Sequence, residues 1–318
     1  MTAHSPADGA TTNIIHALPV AAELPGSTSI VVSLAAGAAA GAVAKTVIAP
    51  LDRTKIIFQI SHTPYSWRAA FQWLLDAYRK EGFLSLWRGN SATMARIIPY
   101  AAVQFTAHEK WKKALGVDTP QKAQQNKVVH LIAGALAGVT SQSATYPLDL
   151  ARARMAVAGT RRSLRDIFHQ LLAREGAPAL YRGYWPTVLG VIPYAGVSFF
   201  TYDTLKRKYT EHYLAPPGGW VSLCCGGAAG ALGQTASYPL DIVRRRMQTG
   251  KLKSDGTYVY ATISDTLKIV YKNEGWRGFF KGLSMNWVKG PVATGVSFAT
   301  YDAIKHALRD LALTVQAS

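Results

Sequence analysis

The chain has 318 residues, of which 35 are Lys or Arg and 18 are Asp or Glu, so its formal net charge at pH 7 is +17. Only 17% of the residues are charged, against about 25% in a typical soluble domain. The aliphatic and aromatic content excludes a disordered chain, and the two adjacent cysteines, Cys224 and Cys225, exclude a disulfide scaffold. The positive charge predicts an anionic partner: nucleic acid, an anionic membrane or a phosphorylated small molecule.

Residues 1–27 are predicted to form a disordered tail, because they are rich in Ala, Pro, Thr and Ser. The first 29 residues contain no Lys or Arg, whereas they do contain Asp8 and Glu23. A mitochondrial presequence is Arg-rich and poor in acid, and a secretory signal begins with a basic region. The sequence therefore predicts neither kind of targeting segment.

Six later stretches contain almost no charge, and each has the length of helix needed to cross a hydrocarbon core about 30 Å thick. They are only moderately apolar, which accounts for a mean hydropathy of +0.05. The alternative interpretation is a large soluble protein with buried helices. We predict six transmembrane helices, in residues 24–44, 88–109, 128–148, 182–203, 212–240 and 281–302.

One sequence unit occurs three times along the chain. A Pro-Leu-Asp motif occurs at 50–52, 147–149 and 239–241, followed by Glu-Gly at 81–82, 175–176 and 274–275 and by an aromatic-basic-Gly triplet at 87–89, 181–183 and 280–282. Each unit consists of an apolar helix, a polar amphipathic segment and a second apolar helix. We therefore predict three repeats, at residues 28–115, 127–212 and 218–310, with both termini on one side of the membrane.

The basic residues are concentrated in the polar segments of the three repeats. Residues 53–88, 152–182 and 244–281 hold 22 of the 35 Lys and Arg but only 7 acidic residues. Such a bias is typical of the loops on one side of a membrane protein. We predict short surface helices in residues 66–79, 163–173 and 261–273. No nucleic-acid-binding module is recognisable, so no nucleic acid partner is expected.

The motif Pro-Leu-Asp-x-x-Lys/Arg, repeated three times ahead of Glu-Gly and aromatic-basic-Gly, resembles that of the mitochondrial carrier family. The resemblance covers residues 30–310. It implies an all-α membrane protein, a threefold pseudosymmetric barrel of six transmembrane helices with short matrix-side surface helices. It also implies a monomer in the mitochondrial inner membrane, with termini toward the intermembrane space and membrane lipid, cardiolipin included, as a partner.

The resemblance further implies a gate of ion pairs at the matrix side. The expected pairs are Asp52–Arg152, Asp149–Arg244 and Asp241–Lys55. Gln59 and Gln248 match the family's bracing glutamine, whereas Ala156 stands at that place in repeat 2. Ile57 replaces the second basic residue of repeat 1, which repeats 2 and 3 retain as Arg154 and Arg246.

A second gate is implied at the cytoplasmic side. Its expected pairs are Glu109–Lys206, Asp203–Lys305 and Asp302–Lys112. His108 departs from the aromatic residue found at Tyr202 and Tyr301. If one gate is closed at a time, a central site faces each side alternately. A charge pair near a protein surface interacts by about 4 kcal/mol before desolvation, so such a gate is neither permanent nor trivial.

Ionisable residues inside membrane spans indicate a functional site. Arg96 and Lys289 each follow the glycine of their triplet by seven residues, and Gly190 holds the same place in repeat 2. Two cations opposite a Gly190-Val191 step suit a ligand with an anionic end and a flat apolar end. Tyr194 is expected either to stack on a base or to pack. Three cations in the spans are predicted to be unpaired: Lys45, Arg96 and Lys289.

The resemblance implies that Gly190-Val191 accommodates adenine and that Arg96 and Lys289 contact phosphates, with Lys45 or Arg245 supplying a further cation. The implied activity is uptake of coenzyme A in exchange for ADP or adenosine 3′,5′-diphosphate. Other cargoes in the same class are ATP-Mg and phosphate, ADP and ATP, and thiamine diphosphate. All are transported substrates, so no resident cofactor is expected.

An enzyme that uses an adenine nucleotide is the competing class of function. Residues 41–46 superficially resemble a phosphate-binding loop, but Ala44 stands where that loop requires glycine before its lysine. No EF-hand loop, metal-ligand spacing or nucleophile-base arrangement is recognisable in the sequence. We therefore expect a transporter with no catalytic residues and no metal site.

Overall fold

The structure is a computed structural model that describes residues 26–119, 126–160, 162–215, 218–250, 252 and 256–317. Within these residues the chain forms nine α-helices, joined by short turns and 3₁₀ segments. Residues 1–25 of the predicted tail lie outside the described residues, whereas residues 26 and 27 belong to the first helix.

Each repeat contributes a long helix, a short helix and a second long helix. Repeat 1 contains α1 (Gly26–Ile60), α2 (Trp67–Glu81) and α3 (Asn90–Ala114). Repeat 2 contains α4 (Lys127–Val157), α5 (Leu164–Glu175) and α6 (Tyr184–Tyr213). Repeat 3 contains α7 (Gly219–Thr249), α8 (Ile263–Glu274) and α9 (Leu283–Ala317). The short helices begin and end within two residues of the predicted bounds.

The first long helix of each repeat continues well beyond its charge-free stretch, because its proline lies inside the helix. Proline removes one backbone donor and kinks a helix rather than necessarily ending it. Pro50, Pro147 and Pro239 are each followed by ten further helical residues. Those ten-residue ends carry the polar half of the repeated motif. Within the described residues, no helix combines the length and the apolarity expected of a membrane-spanning segment.

The short helices are positioned by polar caps and by one apolar face. Each begins at a hydroxyl side chain that accepts a hydrogen bond from the backbone N–H three residues later. The caps are Ser66, Ser163 and Thr262. The apolar faces of α5 and α8 pack against α4 and α7, where Ile167 joins Leu150 in one cluster and Val270 joins Ile242 in another. The buried core is therefore concentrated at the end of the bundle that carries α2, α5 and α8, which we call the loop end.

The six long helices form a closed ring. α3 packs along α4, α6 along α7 and α9 along α1, so each repeat is joined to the next and the third to the first. α1, α4 and α7 also contact one another. The ends of these three helices that follow the prolines lie at the loop end, so the motif residues of all three repeats converge there. We call the opposite end, where the bundle begins with α1 and finishes with α9, the terminal end.

A glycine closes each seam between repeats. Gly89 and Gly183 have positive φ angles of +89° and +77°, which glycine adopts without strain. A Cβ atom on Gly89 would lie 2.9 Å from the carbonyl oxygen of Arg152, and one on Gly183 would lie 2.9 Å from that of Arg244. The aromatic-basic-Gly triplet of one repeat therefore ends in direct contact with the motif helix of the next.

Candidate substrate-binding site and ion-pair ring

The structure brings together all three ion pairs that the family resemblance implies for the matrix gate. Each pair joins two repeats, so the three form a ring at the loop end. Asp52 and Asp149 are buried, whereas the Asp241 side chain is 31% exposed. The pairs are Arg152 with Asp52, Arg244 Nη2 with Asp149 Oδ2 at 2.5 Å, and Lys55 Nζ with Asp241 Oδ2 at 3.9 Å.

The two glutamines matched to braces make different contacts. Gln248 donates from Nε2 to Asp149 Oδ2 at 2.9 Å and to the Tyr146 hydroxyl at 3.0 Å, so it contacts a ring carboxylate directly. Gln59 donates to the hydroxyl of Tyr238 at 3.3 Å. That hydroxyl in turn donates to the Lys281 carbonyl at 2.7 Å, so Gln59 braces the seam beside the ring.

The prediction that Arg96 and Lys289 are unpaired is wrong. Lys289 Nζ lies 2.7 Å from Asp52 Oδ1, and Arg96 Nη1 lies 3.6 Å from Asp149 Oδ1. A carboxylate has two oxygens and accepts about four hydrogen bonds, so it can hold more than the one cation that sequence spacing assigns to it. α9 packs along α1 and α3 along α4, which brings both cations to carboxylates of a neighbouring repeat.

The other two candidate cargo cations differ from each other. Arg245 Nη1 lies 3.6 Å from Asp149 Oδ2 and donates to Gln248 Oε1 at 2.8 Å. Lys45 is exposed, and among the described residues no carboxylate lies within ion-pair distance of it. Arg245 therefore belongs to the ring, whereas Lys45 forms no ion pair with it among the described residues.

Arg96 is held by several polar partners besides Asp149. It donates from Nε to the Thr145 hydroxyl at 3.1 Å and from Nη2 to Gln142 Oε1 at 2.6 Å. Its guanidinium carbon lies 4.7 Å from the ring centroid of Tyr100, which is a cation–π contact. Arg96 thus links the ring to the wall of the adjoining cavity.

A cavity of about 270 Å³ lies beside the ion-pair ring, between α3, α4, α6 and α7. Gly190, Val191 and Tyr194 line it, as the sequence predicts for one subsite. Two ring residues, Asp241 and Arg244, line the same cavity. The structure therefore places the candidate base-binding residues directly against the ion-pair ring.

The structure does not bring together the pairs expected at the cytoplasmic gate. Within the described ranges, none of the three inter-helix pairs is formed; Glu109 instead pairs with Lys112 on its own helix at 2.7 Å. His108 contacts His130, with ring centroids 5.7 Å apart. The ring at the loop end is thus formed while its counterpart is open. The remaining cations lie over aromatic rings: Lys206 over Tyr202 at 5.7 Å and Lys305 over Tyr301 at 5.6 Å.

A second set of arginines ties each repeat to the next, and its member in repeat 1 is not among the residues predicted from the sequence. Arg154 pairs with Glu175 at 2.9 Å and donates to the carbonyl of Gln248. Arg246 pairs with Glu274 at 2.5 Å and donates to the carbonyl of Gln59 at 3.1 Å. Burial raises the pKa of the Glu274 carboxyl, but hydrogen bonds from Lys281 and Arg246 bring it below its usual value.

In repeat 1 the equivalent contacts are made by Arg53. It pairs with Glu81 at 2.9 Å and donates to the carbonyl of Ala156 at 3.0 Å, although it lies four residues before Ile57, the position that matches Arg154 and Arg246. Residues four apart share one helix face. Repeats 2 and 3 have Leu150 and Ile242 at the place of Arg53, so the arginine and the aliphatic residue have exchanged places. This exchange is the feature of the sequence from which the role of Arg53 could have been predicted.

Comparison with known proteins identifies the family. The profile of the mitochondrial carrier protein family matches residues 26–118, 123–213 and 216–311. The chain is 53% identical to the mitochondrial coenzyme A transporter SLC25A42 of Xenopus tropicalis over 288 residues, which cover 89% of this chain and 87% of the relative. The human protein of that name is 53% identical over 285 residues, 88% of each chain. Human solute carrier family 25 member 16 is 42% identical over 293 residues, 86% of this chain and 87% of the relative. The chain therefore belongs to the mitochondrial carrier protein family, and it is a transporter with the all-α, three-repeat membrane fold predicted from its sequence.

Proposed function

We propose that the protein is an antiporter of the mitochondrial inner membrane that imports coenzyme A into the matrix in exchange for adenine nucleotides such as ADP and adenosine 3′,5′-diphosphate. The observation that carries the proposal is the contact of the candidate cargo cations with ring carboxylates: Lys289 with Asp52, and Arg96 and Arg245 with Asp149. The relatives named for coenzyme A transport support the choice of cargo.

In the proposed orientation the loop end faces the matrix and both termini face the intermembrane space. The concentration of 22 of the 35 basic residues in the segments of the loop end supports this orientation, because membrane proteins carry an excess of Lys and Arg in the loops of the inner side. The closed ring of six helices encloses the cavity within one chain, which supports a monomer as the working unit. The surrounding lipid, cardiolipin included, is then the solvent of the outer helix faces.

The proposed mechanism couples cargo binding to gate opening through the shared cations. With the loop-end ring closed and the other ring open, cargo enters from the intermembrane space. Its phosphates compete with Asp52 and Asp149 for Lys289 and Arg96. Each cation that turns toward a phosphate weakens a ring pair, and bound cargo thereby offsets part of the cost of opening the ring. A returning adenine nucleotide closes the cycle in the opposite direction.

A second cargo class, an adenine nucleotide or diphosphate cofactor other than coenzyme A, would use the same cations. Coenzyme A carries one phosphate beyond its diphosphate bridge, which favours a site with more than two cations. Arg245 at the ring and Lys45 on α1 supply such additional charge. The number of cations therefore favours coenzyme A over thiamine diphosphate, and the relatives named for coenzyme A transport favour it over ATP-Mg with phosphate and over ADP with ATP.

Exchange in liposomes tests the proposal. Purified protein is reconstituted with internal ADP, and uptake of labelled external coenzyme A is compared with uptake of the other cargoes named above. We expect coenzyme A uptake that depends on internal ADP. Uptake no greater than in empty liposomes, together with movement of another nucleotide, would refute the coenzyme A assignment and leave the carrier class intact.

Two substitutions test the cargo site itself. Arg96→Ala and Lys289→Ala are each expected to abolish exchange in protein that still folds, because the phosphates lose a cation close to the ring. Arg207→Ala is the matched control, since Arg207 is 72% exposed on α6 and pairs only weakly with Glu211 at 3.6 Å. Undiminished exchange in either of the first two variants would contradict the site.

A further inference from the structure

Two glutamines line the cavity beside Gly190, and neither was assigned a role from the sequence. Gln142 lies on α4 and Gln234 on α7, each five residues before the proline of its helix. Lys45 holds the same place on α1. Because the repeats are related by threefold pseudosymmetry, the three positions lie at one depth in the bundle. Two of them therefore carry neutral amides where the first carries a cation.

The amide of Gln142 is held in one orientation by Arg96. Its Oε1 accepts a hydrogen bond from Arg96 Nη2 at 2.6 Å. A guanidinium can only donate, so the amide oxygen faces it and the NH₂ group points away. Among the described residues, the Nε2 atom of Gln142 is buried and has no hydrogen-bond partner. A buried donor without a partner is destabilising, so this atom indicates an acceptor supplied by a ligand.

Gln234 has the opposite polarity. It donates from Nε2 to Asp241 Oδ2 at 3.2 Å. A carboxylate can only accept, so the amide nitrogen faces Asp241 and Oε1 is left as an acceptor. The cavity thus offers a hydrogen-bond donor from α4 and an acceptor from α7, and each is fixed by a charged neighbour. The pattern matches a ligand edge that carries a donor next to an acceptor.

We propose that Gln142 and Gln234 read the base of the cargo and select a 6-aminopurine, an inference that rests on the proposed function. The exocyclic amino group donates to Oε1 of Gln234, and the adjacent ring nitrogen N1 accepts from Nε2 of Gln142. Glutamine amides also pair with the N6/N7 edge of adenine through one donor and one acceptor. A 6-oxopurine has an acceptor in place of the amino group and carries a proton on N1, so it faces both glutamines with like polarity. Gly190 and Tyr194 line the wall against which the flat ring packs.

Binding of ADP and inosine diphosphate to the purified full-length protein in detergent tests this proposal. Both carry the same diphosphate, so the ratio of their dissociation constants, measured by titration calorimetry, reports the base alone. We expect ADP to bind about tenfold more tightly than inosine diphosphate, the discrimination typical of a hydrogen-bonded base edge. Gln142→Glu replaces the free donor by an acceptor, and we expect it to bring the ratio close to one.

Two further variants complete the experiment. Gln104→Glu is the matched control, because Gln104 accepts from the Ser141 hydroxyl at 2.8 Å, a contact that a glutamate also makes; it should leave the ratio unchanged. Gln234→Leu removes the acceptor and should reduce the ratio as Gln142→Glu does. Equal binding of the two nucleotides by the unmodified protein, or an ADP preference that survives both cavity variants, would overturn the base-reading proposal. Binding of neither ADP nor coenzyme A would overturn the proposed function with it.

Discussion

Replacing Arg53 with isoleucine is expected to destabilise the seam between repeats 1 and 2. Arg53 is 3% exposed and donates to three partners: the carbonyls of Ser85 and Ala156, at 2.8 and 3.0 Å, and the carboxylate of Glu81 at 2.9 Å. The seam is where the motif helix of repeat 1 meets that of repeat 2. The substitution leaves two carbonyls without this donor and removes one cation from a carboxylate.

The size of the effect follows from what each partner retains. Glu81 is 29% exposed and keeps Arg88 at 2.8 Å, so the loss of that ion pair costs about 0.5 kcal/mol. The two buried carbonyls each lose a hydrogen bond from a charged group, at about 1.5 kcal/mol apiece. The expected total is about 3–4 kcal/mol. At ~2 °C per kcal/mol, the midpoint of thermal unfolding should fall by roughly 7 °C.

The decisive measurement is the rescue. In the double variant Arg53→Ile, Ile57→Arg the arginine stands where Arg154 and Arg246 stand in the other repeats, with the aliphatic residue one turn earlier. We expect the double variant to recover at least half of the lost stability in detergent-purified protein. A single variant that loses less than about 1 kcal/mol, or a double variant no more stable than the single one, would refute the equivalence of the two positions.

Two further predictions concern seam residues. Gly183→Ala should cost about 2–3 kcal/mol, because its Cβ would lie 2.9 Å from the Arg244 carbonyl oxygen at a φ of +77°. Gly176 has a similar φ of +79°, but a Cβ atom there would lie 3.7 Å from its nearest neighbour, so Gly176→Ala should cost only about 1 kcal/mol. Equal losses of thermal stability in the two variants would contradict the close contact of Gly183 with the Arg244 carbonyl. Glu274→Gln should cost about 3 kcal/mol at neutral pH. Since the pKa of Glu274 lies below its unfolded value, the stabilisation is present at neutral pH and lost as the pH falls through the folded-state pKa. The difference between variant and wild type should therefore shrink in acid, and a difference independent of pH would argue against this ion pair.

The ion pairs of the ring could be predicted from the sequence because their motif occurs three times. A Pro-Leu-Asp motif followed by a cation three residues later puts the acid and the base on one helix end, and the resemblance to the mitochondrial carrier family implies that each acid pairs with the base of a neighbouring repeat. Arg152 beside Asp52 and Arg244 beside Asp149 agree with that implied pairing. The short helices were accessible for a similar reason, since polar caps and apolar spacing are local properties.

Contacts that break the threefold pattern could not be predicted from the sequence. The sequence shows Ile57 in place of a basic residue, but only the packed helices show that Arg53 reaches the same kind of partners from one turn away. Likewise, spacing along α9 gives Lys289 a depth in the bundle but not its distance to Asp52 on α1. Such distances depend on how closely two helices approach, which one amino-acid sequence does not give.

The surroundings of the ion-pair ring carry a net positive charge, because cations that break the threefold pattern also lie beside its carboxylates. Three ring cations and three candidate cargo cations contact only three carboxylates, which leaves an excess of three positive charges among these side chains. A ring in which each carboxylate faced only one cation would have no net charge and would not attract a polyanion. Coenzyme A carries a charge of about −4 at neutral pH, from a diphosphate bridge and a phosphate monoester, and ADP about −3. In the proposed mechanism, cargo of this charge would neutralise the excess while drawing cations away from the aspartates. Attraction of cargo and weakening of the closed gate would then arise from one set of side chains: Lys55, Arg96, Arg152, Arg244, Arg245 and Lys289.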